Sequence, residues 1–255
     1  MIQLKSPKEI RRLRDAGRIV AETFEVLREA IRPGVSLAQL DRKAESYLRK
    51  QGATPLYKGY KGPNEQSPPF PGVICASVNE VICHGIPNER ELQNGDIVSI
   101  DVGLKYRGYC GDACITFPVG EISQEAQWLL DVTQECLRIG INAAQPRGYL
   151  NDIGDSIQTY ADSQGVSIVR ELTGHGLGRQ LHESPSVFHF RQDTRGPRMR
   201  RGMVFTIEPM INAGSHDRYT LNDGWTEVTK DGKLSAQFEH TIVIAKHGPE
   251  ILSKL

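Results

Sequence analysis

The sequence is poor in cysteine, and its few cysteines are not arranged as pairs. The chain of 255 residues has five, Cys75, Cys83, Cys110, Cys114 and Cys136, with no Cys-x-x-Cys spacing. An odd number without paired spacing argues against a disulfide framework and against a zinc site built on paired cysteines. A reducing compartment is the simplest setting, and we expect a cytoplasmic protein.

The sequence also lacks an excess of charge and long hydrophobic runs. Lys plus Arg number 31 and Asp plus Glu number 31, so the formal net charge is zero. This removes the global electrostatic argument for binding nucleic acid or an anionic membrane, and no nucleic-acid motif is present. No apolar run reaches the roughly 20 residues that span a bilayer, and the N-terminal residues lack the apolar core of a signal peptide.

Two parts of the chain follow the same helical plan. The first two helices are predicted to start at Ser6 and Ser36, each with the capping-box residue three positions later. A little over a hundred residues further on, apolar spacing predicts a helix from Ser123 and another through Ile153 and Ile157. The repeat is weak by itself, since amphipathic helices often match by chance.

Strand patterns follow each helix pair. The first half contains Asp96–Val102, a predicted turn over Gly103–Gly108 and a second strand, Cys110–Val119. The second half contains Met203–Glu208 and Phe238–Ile244. Each half is therefore predicted as two helices followed by an antiparallel hairpin. This order indicates an α+β domain in which helices cover one face of a sheet.

The chain length fits one large domain or two small ones. We expect a single domain over residues 1–255, with half-repeats of about 1–122 and 123–255. The one irregular patch is Gly62–Gly72, where four prolines exclude a helix and a central strand and predict a loop.

Five side chains that bind divalent cations stand out in or near the strands: Asp101, Asp112, His175, Glu208 and Glu239. Carboxylates in apolar strands are costly to bury unless they are paired or bound to a metal. Two divalent ions would neutralise four carboxylates, and this donor set suits Mn, Fe, Co or Zn. Taken singly, each acid is more often an exposed strand residue. Spacing alone therefore leaves a metal site and a solvated surface both open.

Four segments closely resemble type I methionine aminopeptidases of the M24 metallopeptidase family: Ser77–Pro87 (SVNEVICHGIP), Gly174–Glu183 (GHGLGRQLHE), Phe205–Met210 (FTIEPM) and Ser235–Thr241 (SAQFEHT). They occur in the family's order, and the resemblance covers nearly the whole chain. It implies the pita-bread (creatinase/aminopeptidase) fold, a pseudo-twofold antiparallel sheet covered by helices. It also implies one catalytic domain that removes N-terminal methionine from nascent proteins and favours small second residues.

The resemblance assigns roles to the five cation-binding residues. In the family pattern Asp112 and Glu239 bridge two ions, Asp101 chelates one, and His175 with Glu208 holds the other. The ions share a water or hydroxide that attacks the first peptide bond. Glu208 then resembles the group that takes and passes on the proton.

The resemblance also implies residues that contact the substrate. His84 and His182 match two histidines that bind substrate rather than metal, and a neutral imidazole there can stabilise the tetrahedral intermediate. By position, Tyr60, Phe70, Cys75 and Trp225 line the methionine pocket, although each could equally be plain core. We assign no special role to the other histidines, His189, His216, His240 and His247, and we expect His240 to point to the sheet face opposite Glu239.

Three departures from the family pattern affect the pocket. The Gly62–Gly72 loop is longer than in compact bacterial members, which puts Tyr60 and Phe70 in doubt. Leu181 stands where an aromatic residue is common. Cys110 and Cys114 share a strand face with Asp112, so their thiols lie either near the metals or in the core.

Two other hypotheses for the function stay open. The more similar one is another pita-bread hydrolase, such as a prolidase or aminopeptidase P, although those carry an extra N-terminal domain for which this length leaves no room. A pita-bread binding protein without catalysis is the other, and the complete ligand set argues against it. We expect a monomer, and any docking to the ribosome would use the domain surface.

Overall fold

The structure is a computed structural model that describes residues 1–62 and 67–254, and within these ranges the protein has four helices and fifteen strands. The helices are α1 (Pro7–Arg28), α2 (Leu37–Lys50), α3 (Gln124–Ala143) and α4 (Asp152–Gln164). The strands are β1 (Thr54–Pro55), β2 (Cys75–Val78), β3 (Val81–Cys83), β4 (Ile97–Tyr106), β5 (Tyr109–Pro118), β6 (Ser167–Ile168), β7 (Gly174–Gly176), β8 (Glu183–Val187), β9 (Val204–Ile207), β10 (Met210–Asn212), β11 (Arg218–Thr220), β12 (Glu227–Thr229), β13 (Ser235–Gln237), β14 (Glu239–Ile244) and β15 (Pro249–Ile251).

The serines that mark helix starts in the sequence cap those helices. Ser6 and Ser36 each form both halves of a capping box, which satisfies backbone N–H groups that have no partner inside the helix. Ser123 Oγ accepts the N–H of Ala126 at 3.1 Å. Three predicted helix starts are therefore confirmed, and α4 supplies the fourth helix.

The strands form one large antiparallel sheet and two small ones. In the nine-stranded sheet the order is β1-β4-β5-β14-β9-β7-β8, with β2 also paired to β4 and β15 to β14. The small sheets have the orders β13-β10-β6 and β11-β12-β3. The centre of the large sheet thus joins β4 and β5 from the first half of the chain to β9 and β14 from the second half.

The first hairpin turns later than the sequence predicts. The turn predicted over Gly103–Gly108 is wrong, because β4 and β5 continue until only Arg107 and Gly108 remain between them. These two residues have φ angles of 48° and 84°, as in the tight turns that match the twist of paired strands. Gly103 serves another purpose within the strand, since a Cβ there would lie 2.6 Å from the Tyr57 ring.

The second predicted hairpin is an antiparallel pair but not a hairpin. Strands β9 and β14 pair in antiparallel fashion, as predicted, and the register places Ile207 opposite His240. The chain between them, however, forms β10 to β13 in the two small sheets. The paired strands β9 and β14 are therefore connected by a long segment with strands of its own, which a local strand pattern does not reveal.

Each helix pair covers its own hydrophobic core on one face of the large sheet. Helices α1 and α2 pack with residues of β2, β4 and β5, including Val98, Val102 and Ala113. Helices α3 and α4 pack with residues of β9, β10 and β14, including Phe205 and Ile242. This confirms the α+β class with helices on one face. None of the described helices combines the length and hydrophobicity needed to cross a bilayer.

Candidate metal centre

The register of the large sheet places three carboxylates on one face. Asp101 on β4 lies opposite Cys114 on β5, and Cys114 lies opposite Glu239 on β14. Residues directly opposed in antiparallel strands share a face, and Asp112 joins them because it is two residues from Cys114. The intervening Ala113 lies in the helix-covered core, so the acids occupy the other face of the sheet.

His175 and Glu208 reach the same face from β7 and from the end of β9. One hydroxyl group fixes them relative to each other. The His175 backbone N–H donates to Thr206 Oγ1 at 2.9 Å, and Thr206 Oγ1 is 2.6 Å from Glu208 Oε1, to which it donates. The pairing of Gly176 with Phe205 holds the two strands together at this point.

The cation-binding atoms converge around His175. Ligand atoms of Asp112, His175 and Glu239 all lie within 4.8 Å of one another. His175 Nε2 is 3.5 Å from Asp112 Oδ2 and 3.7 Å from Glu208 Oε1. Asp101 joins the group through Tyr57, whose hydroxyl bonds both Asp101 and Asp112. The structure therefore brings all five residues predicted as metal ligands into one site.

The tautomer of His175 suits metal binding. Its Nδ1 is 3.1 Å from the Gly176 carbonyl oxygen, which can only accept, so Nδ1 carries the proton. Nε2 therefore presents a lone pair toward Asp112 and Glu208. A lone pair facing two carboxylates is repulsive unless a cation lies between them, and a backbone partner on the other nitrogen is typical of a ligating histidine.

The acids need a compensating cation. Burial raises the pKa of Asp101 to about 7 and that of Glu208 to about 8. Burial, followed by the charges of neighbouring acids, raises the pKa of Asp112 and Glu239 well above the usual range. Glu239 Oε1 is buried and has no hydrogen-bond partner among the residues that the structure describes. Carboxylate and imidazole donors without a thiolate ligand fit divalent Mn, Fe, Co or Zn.

Sequence reasoning missed Tyr57. Its hydroxyl is 2.5 Å from Asp101 Oδ1 and 2.8 Å from Asp112 Oδ1, and its one proton is shared between these two acceptors. It therefore links the acids of two neighbouring strands. Tyr57 precedes Asp101 by 44 residues, and it lies in no motif or periodic pattern that would connect it to the acids.

Two histidines without an expected role differ in their relation to the site. His189 is 1% exposed, and its Nε2 accepts the backbone N–H of Glu208 at 3.0 Å, so it supports the segment that carries this acid. The sequence offered no signal for this contact. His240 lies on the helix-covered face, with Nδ1 2.9 Å from Ser253 Oγ, which confirms the expected orientation opposite Glu239.

The two histidines predicted to contact substrate lie at the rim of the site. The His182 ring is 4.3 Å from the His175 ring between centroids, and its Nδ1 is 2.7 Å from the Tyr60 hydroxyl. The His84 ring is 6.3 Å from that of Trp225. Desolvation lowers the pKa of both rim histidines, which favours neutral imidazoles at neutral pH.

An apolar cluster lies beside the acids. Phe70, Cys75 and Trp225 are buried together, with Tyr57 packed against them. The Phe70 and Trp225 rings meet edge to face at 5.2 Å between centroids. Cys75 lies directly opposite Asp101 on the neighbouring strand. Three of the four predicted pocket residues thus form one wall next to the cation-binding face, while Tyr60 lies at the rim.

Leu181, Cys110 and Cys114, which the sequence marks as features that affect the pocket, differ in their distance from the acids. Leu181 and Cys110 are buried together in a core cluster, so Leu181 faces the core. Cys114 lies between Asp101 and Glu239 on the acid-bearing face. Its Sγ is 3.8 Å from the Gln237 carbonyl oxygen. Only one of the two thiols therefore lies among the acids.

The Gly62–Gly72 segment contacts the apolar cluster. Residues 63–66 of the predicted loop lie outside the described residues, and residues 67–72 contain neither helix nor strand. Trp225 Nε1 donates to the Pro68 carbonyl oxygen at 2.7 Å. Phe70 N–H donates to the Tyr60 carbonyl oxygen at 2.9 Å. The described part of the loop therefore holds Phe70 in the cluster.

Fold and site together define a class of protein. A curved antiparallel sheet with helices on one face and buried carboxylates and a histidine on the other is the arrangement of pita-bread metallohydrolases.

Comparison with known proteins gives the family. The model of metallopeptidase family M24 matches residues 11–246, and this chain belongs to that family. It is 49% identical over 255 residues to "Methionine aminopeptidase 1" of Bacillus subtilis, covering all of both chains. The crystal structure of methionine aminopeptidase from Rickettsia prowazekii matches with a TM-score of 0.95 and 40% identity, covering 99% of this chain and 100% of that one.

A more distant structure shares the fold alone. The prolidase from Pyrococcus furiosus matches with a TM-score of 0.78 at 20% identity, covering 99% of this chain but 65% of the prolidase. Together the two structures identify the pita-bread fold, and the family match makes this chain an M24 metallohydrolase that uses divalent metal ions.

Proposed function

We propose that this protein removes N-terminal methionine from proteins and peptides in a reaction that depends on divalent metal ions, with a preference for small second residues. The observation that carries the proposal is the contact between the cation-binding face and an apolar wall. Cys75 lies opposite Asp101, and Tyr57 packs against that wall while bonding to Asp101 and Asp112. Full-length identity to a methionine aminopeptidase supports the same activity.

Five residues would hold two divalent ions: Asp101, Asp112, His175, Glu208 and Glu239. Ligand atoms of Asp112, His175 and Glu239 lie within 4.8 Å of one another, so these three residues would hold an ion together. When bound, such ions polarise the scissile carbonyl and lower the pKa of a coordinated water. Mn, Fe, Co and Zn all suit these donors.

Glu208 would transfer the proton during hydrolysis of the first peptide bond. Thr206 donates to its Oε1 at 2.6 Å, and His189 accepts its backbone N–H, so the carboxylate is held in one orientation. With divalent ions bound, this carboxylate would stay ionised, and an oriented carboxylate can take a proton from water and return it to the leaving amine.

The substrate lies between the rim histidines and the apolar wall. His84 and His182 donate hydrogen bonds to the first peptide group, which is favourable because their neutral forms prevail. Phe70, Cys75 and Trp225 contact the methionine side chain, with Tyr60 at the rim. An unbranched apolar side chain suits such a pocket. A bulky second residue would crowd the buried acids.

A peptide assay tests this function. Chelator-stripped protein is loaded with Mn or Co and offered Met-Ala-Ser, Met-Leu-Ser and a Xaa-Pro dipeptide. We expect methionine release from Met-Ala-Ser, less from Met-Leu-Ser and none from the Xaa-Pro dipeptide. Absence of methionine release with every divalent ion would refute the proposal, and cleavage of the Xaa-Pro dipeptide alone would instead indicate a prolidase.

The variant Glu208→Gln sharpens that assay. It keeps the side-chain volume and removes the proton acceptor, so we expect turnover to fall by about 100- to 10,000-fold while circular dichroism stays unchanged. Glu250→Gln, at an exposed carboxylate, is the matched control and should keep full activity. Retained turnover in Glu208→Gln would remove Glu208 from this role.

We further propose that residues 1–255 form a single catalytic domain of two half-repeats, about 1–122 and 123–255. One core draws its buried residues from the first half, and the other draws them from the second half apart from Ile97. All five cysteines are free and buried, which supports a reducing cytoplasm. We propose a monomer that meets nascent chains at the ribosome surface.

A further inference from the structure

The N-terminal residues of the chain reach the segment that carries His182. The Lys5 backbone N–H donates to the Gly202 carbonyl oxygen at 2.7 Å. Its ammonium group donates to Glu183 Oε2 at 2.5 Å and to Gln3 Oε1 at 3.3 Å. Lys5 is 8% exposed, although it is only the fifth residue of the sequence.

Glu183 in turn closes a tight loop over residues 178–183. Its Oε1 accepts the backbone N–H groups of Arg179 and Gln180 at 2.9 and 3.1 Å. A Cβ at Gly178 would lie 2.4 Å from Lys5 Nζ and 2.5 Å from Glu183 Oε1. The loop therefore closes around a carboxylate that is bonded to two amides on one oxygen and to an ammonium on the other.

This ion pair differs from those on the surface. The side chains of Lys5 and Glu183 are 5% and 14% exposed, compared with 46% and 54% for Arg14 and Glu250. Burial tends to raise the pKa of Glu183, but its hydrogen bonds from Lys5 and the backbone outweigh burial and lower it. Removing one partner of such a pair leaves a charge buried without compensation, whereas an exposed pair contributes little.

His182 directly precedes Glu183 in the chain. Its ring contacts His175 and the Tyr60 hydroxyl, so its place depends on where the loop is held. We propose that Lys5, through Glu183, is a positioning residue that holds His182 against the metal centre. This inference rests on the substrate-contacting role proposed for His182.

A double-mutant cycle on activity tests the proposal. The steady-state parameters kcat and KM for Met-Ala-Ser are measured for wild type, Lys5→Met, Lys5→Arg, His182→Ala and the Lys5→Met/His182→Ala double variant, at a temperature where all are folded. Lys5→Met should lower kcat/KM by up to about 100-fold, as expected for a misplaced catalytic group. Lys5→Arg should recover much of the loss, and Arg14→Met, the exposed-pair control, should change nothing.

The cycle separates positioning from a general loss of stability. If Lys5 acts through His182, adding Lys5→Met to His182→Ala has little further effect on kcat/KM, although both backgrounds lose thermal stability. The proposal would be overturned if Lys5→Met lowered kcat/KM by the same factor in both backgrounds. It would also be overturned if Lys5→Met alone kept the wild-type kcat/KM.

Hydrogen–deuterium exchange gives a readout that does not depend on substrate. Lys5→Met should speed exchange of the 178–183 amides, with α3 unchanged as an internal reference. Unchanged exchange in the loop would overturn the proposal even if the enzyme is active. Absence of methionine release by wild-type protein would instead reject the proposed function, so the two failures are distinct.

Discussion

Single residues in this site matter through the hydrogen bonds that orient them. His175 presents Nε2 to the acids because a backbone carbonyl holds its Nδ1 proton, and Glu208 is fixed by Thr206 and His189. Tyr57 does the same for two acids at once. Loss of such a supporting contact typically lowers metal affinity by about 10- to 100-fold.

Replacing Tyr57 with Phe should weaken metal binding. The variant keeps the partly buried ring but removes the hydroxyl that links Asp101 and Asp112, so we expect the divalent-ion Kd of stripped protein to rise by about 10- to 100-fold. Isothermal titration calorimetry measures this directly. Tyr109→Phe is the control, because the Tyr109 ring is buried and its hydroxyl bonds Glu9 rather than a cation-binding residue. An unchanged Kd in Tyr57→Phe would show that the hydroxyl is dispensable.

At the scale of elements, local signals succeeded where the cause is local. The capping boxes at Ser6 and Ser36 are predictable from sequence because the two residues that form each box are only three positions apart. Strand identity was also readable, with ends displaced by a few residues. The turn over Gly103–Gly108 was wrong because glycine also occurs where a neighbouring ring needs space, and sequence alone does not separate these two uses.

Gly103→Ala should therefore act on the metal centre through β4. The new methyl group would lie 2.6 Å from the Tyr57 ring, so Tyr57 must move away from the two aspartates. We expect weaker metal binding, measured by the same titration. Gly108→Ala is the matched control on the same hairpin. Its φ of 84° makes alanine strained there, so stability should fall while the metal Kd stays unchanged. Equal Kd values in both variants would contradict this account.

For the whole molecule, the buried acids couple metal binding to stability. Asp101 and Glu208 have folded pKa values of about 7 and 8 without metal, above the usual carboxyl values near 4. Between these limits the folded state binds more protons than the unfolded state, so stability falls as pH rises. Buried histidines such as His189, with a pKa lowered by burial to about 3, act in the opposite direction below about pH 6.5.

The effect of the carboxyl groups is therefore free of the opposing histidine effect between about pH 6.5 and 8. In this range the thermal midpoint of chelator-stripped protein should fall as pH rises. The thermal midpoint of protein loaded with Mn or Co should fall much less, because bound cations keep the carboxylates ionised at little cost. Differential scanning fluorimetry of both forms across this range measures the difference between their thermal midpoints, which we expect to grow as pH rises. A constant difference would mean that the buried acids do not titrate in this window.

The sequence by itself determined the helix starts, the strand-borne acids and, through four ordered motifs, the resemblance to the family. These features depend on neighbouring residues or on motifs that stay contiguous in the chain. Tertiary structure alone decided the contacts that support the site. Tyr57 meets Asp101 across 44 positions, and Lys5 meets Glu183 across 178. Such pairs form because the sheet and its loops bring distant segments together, and no periodicity or local spacing records a contact made that way.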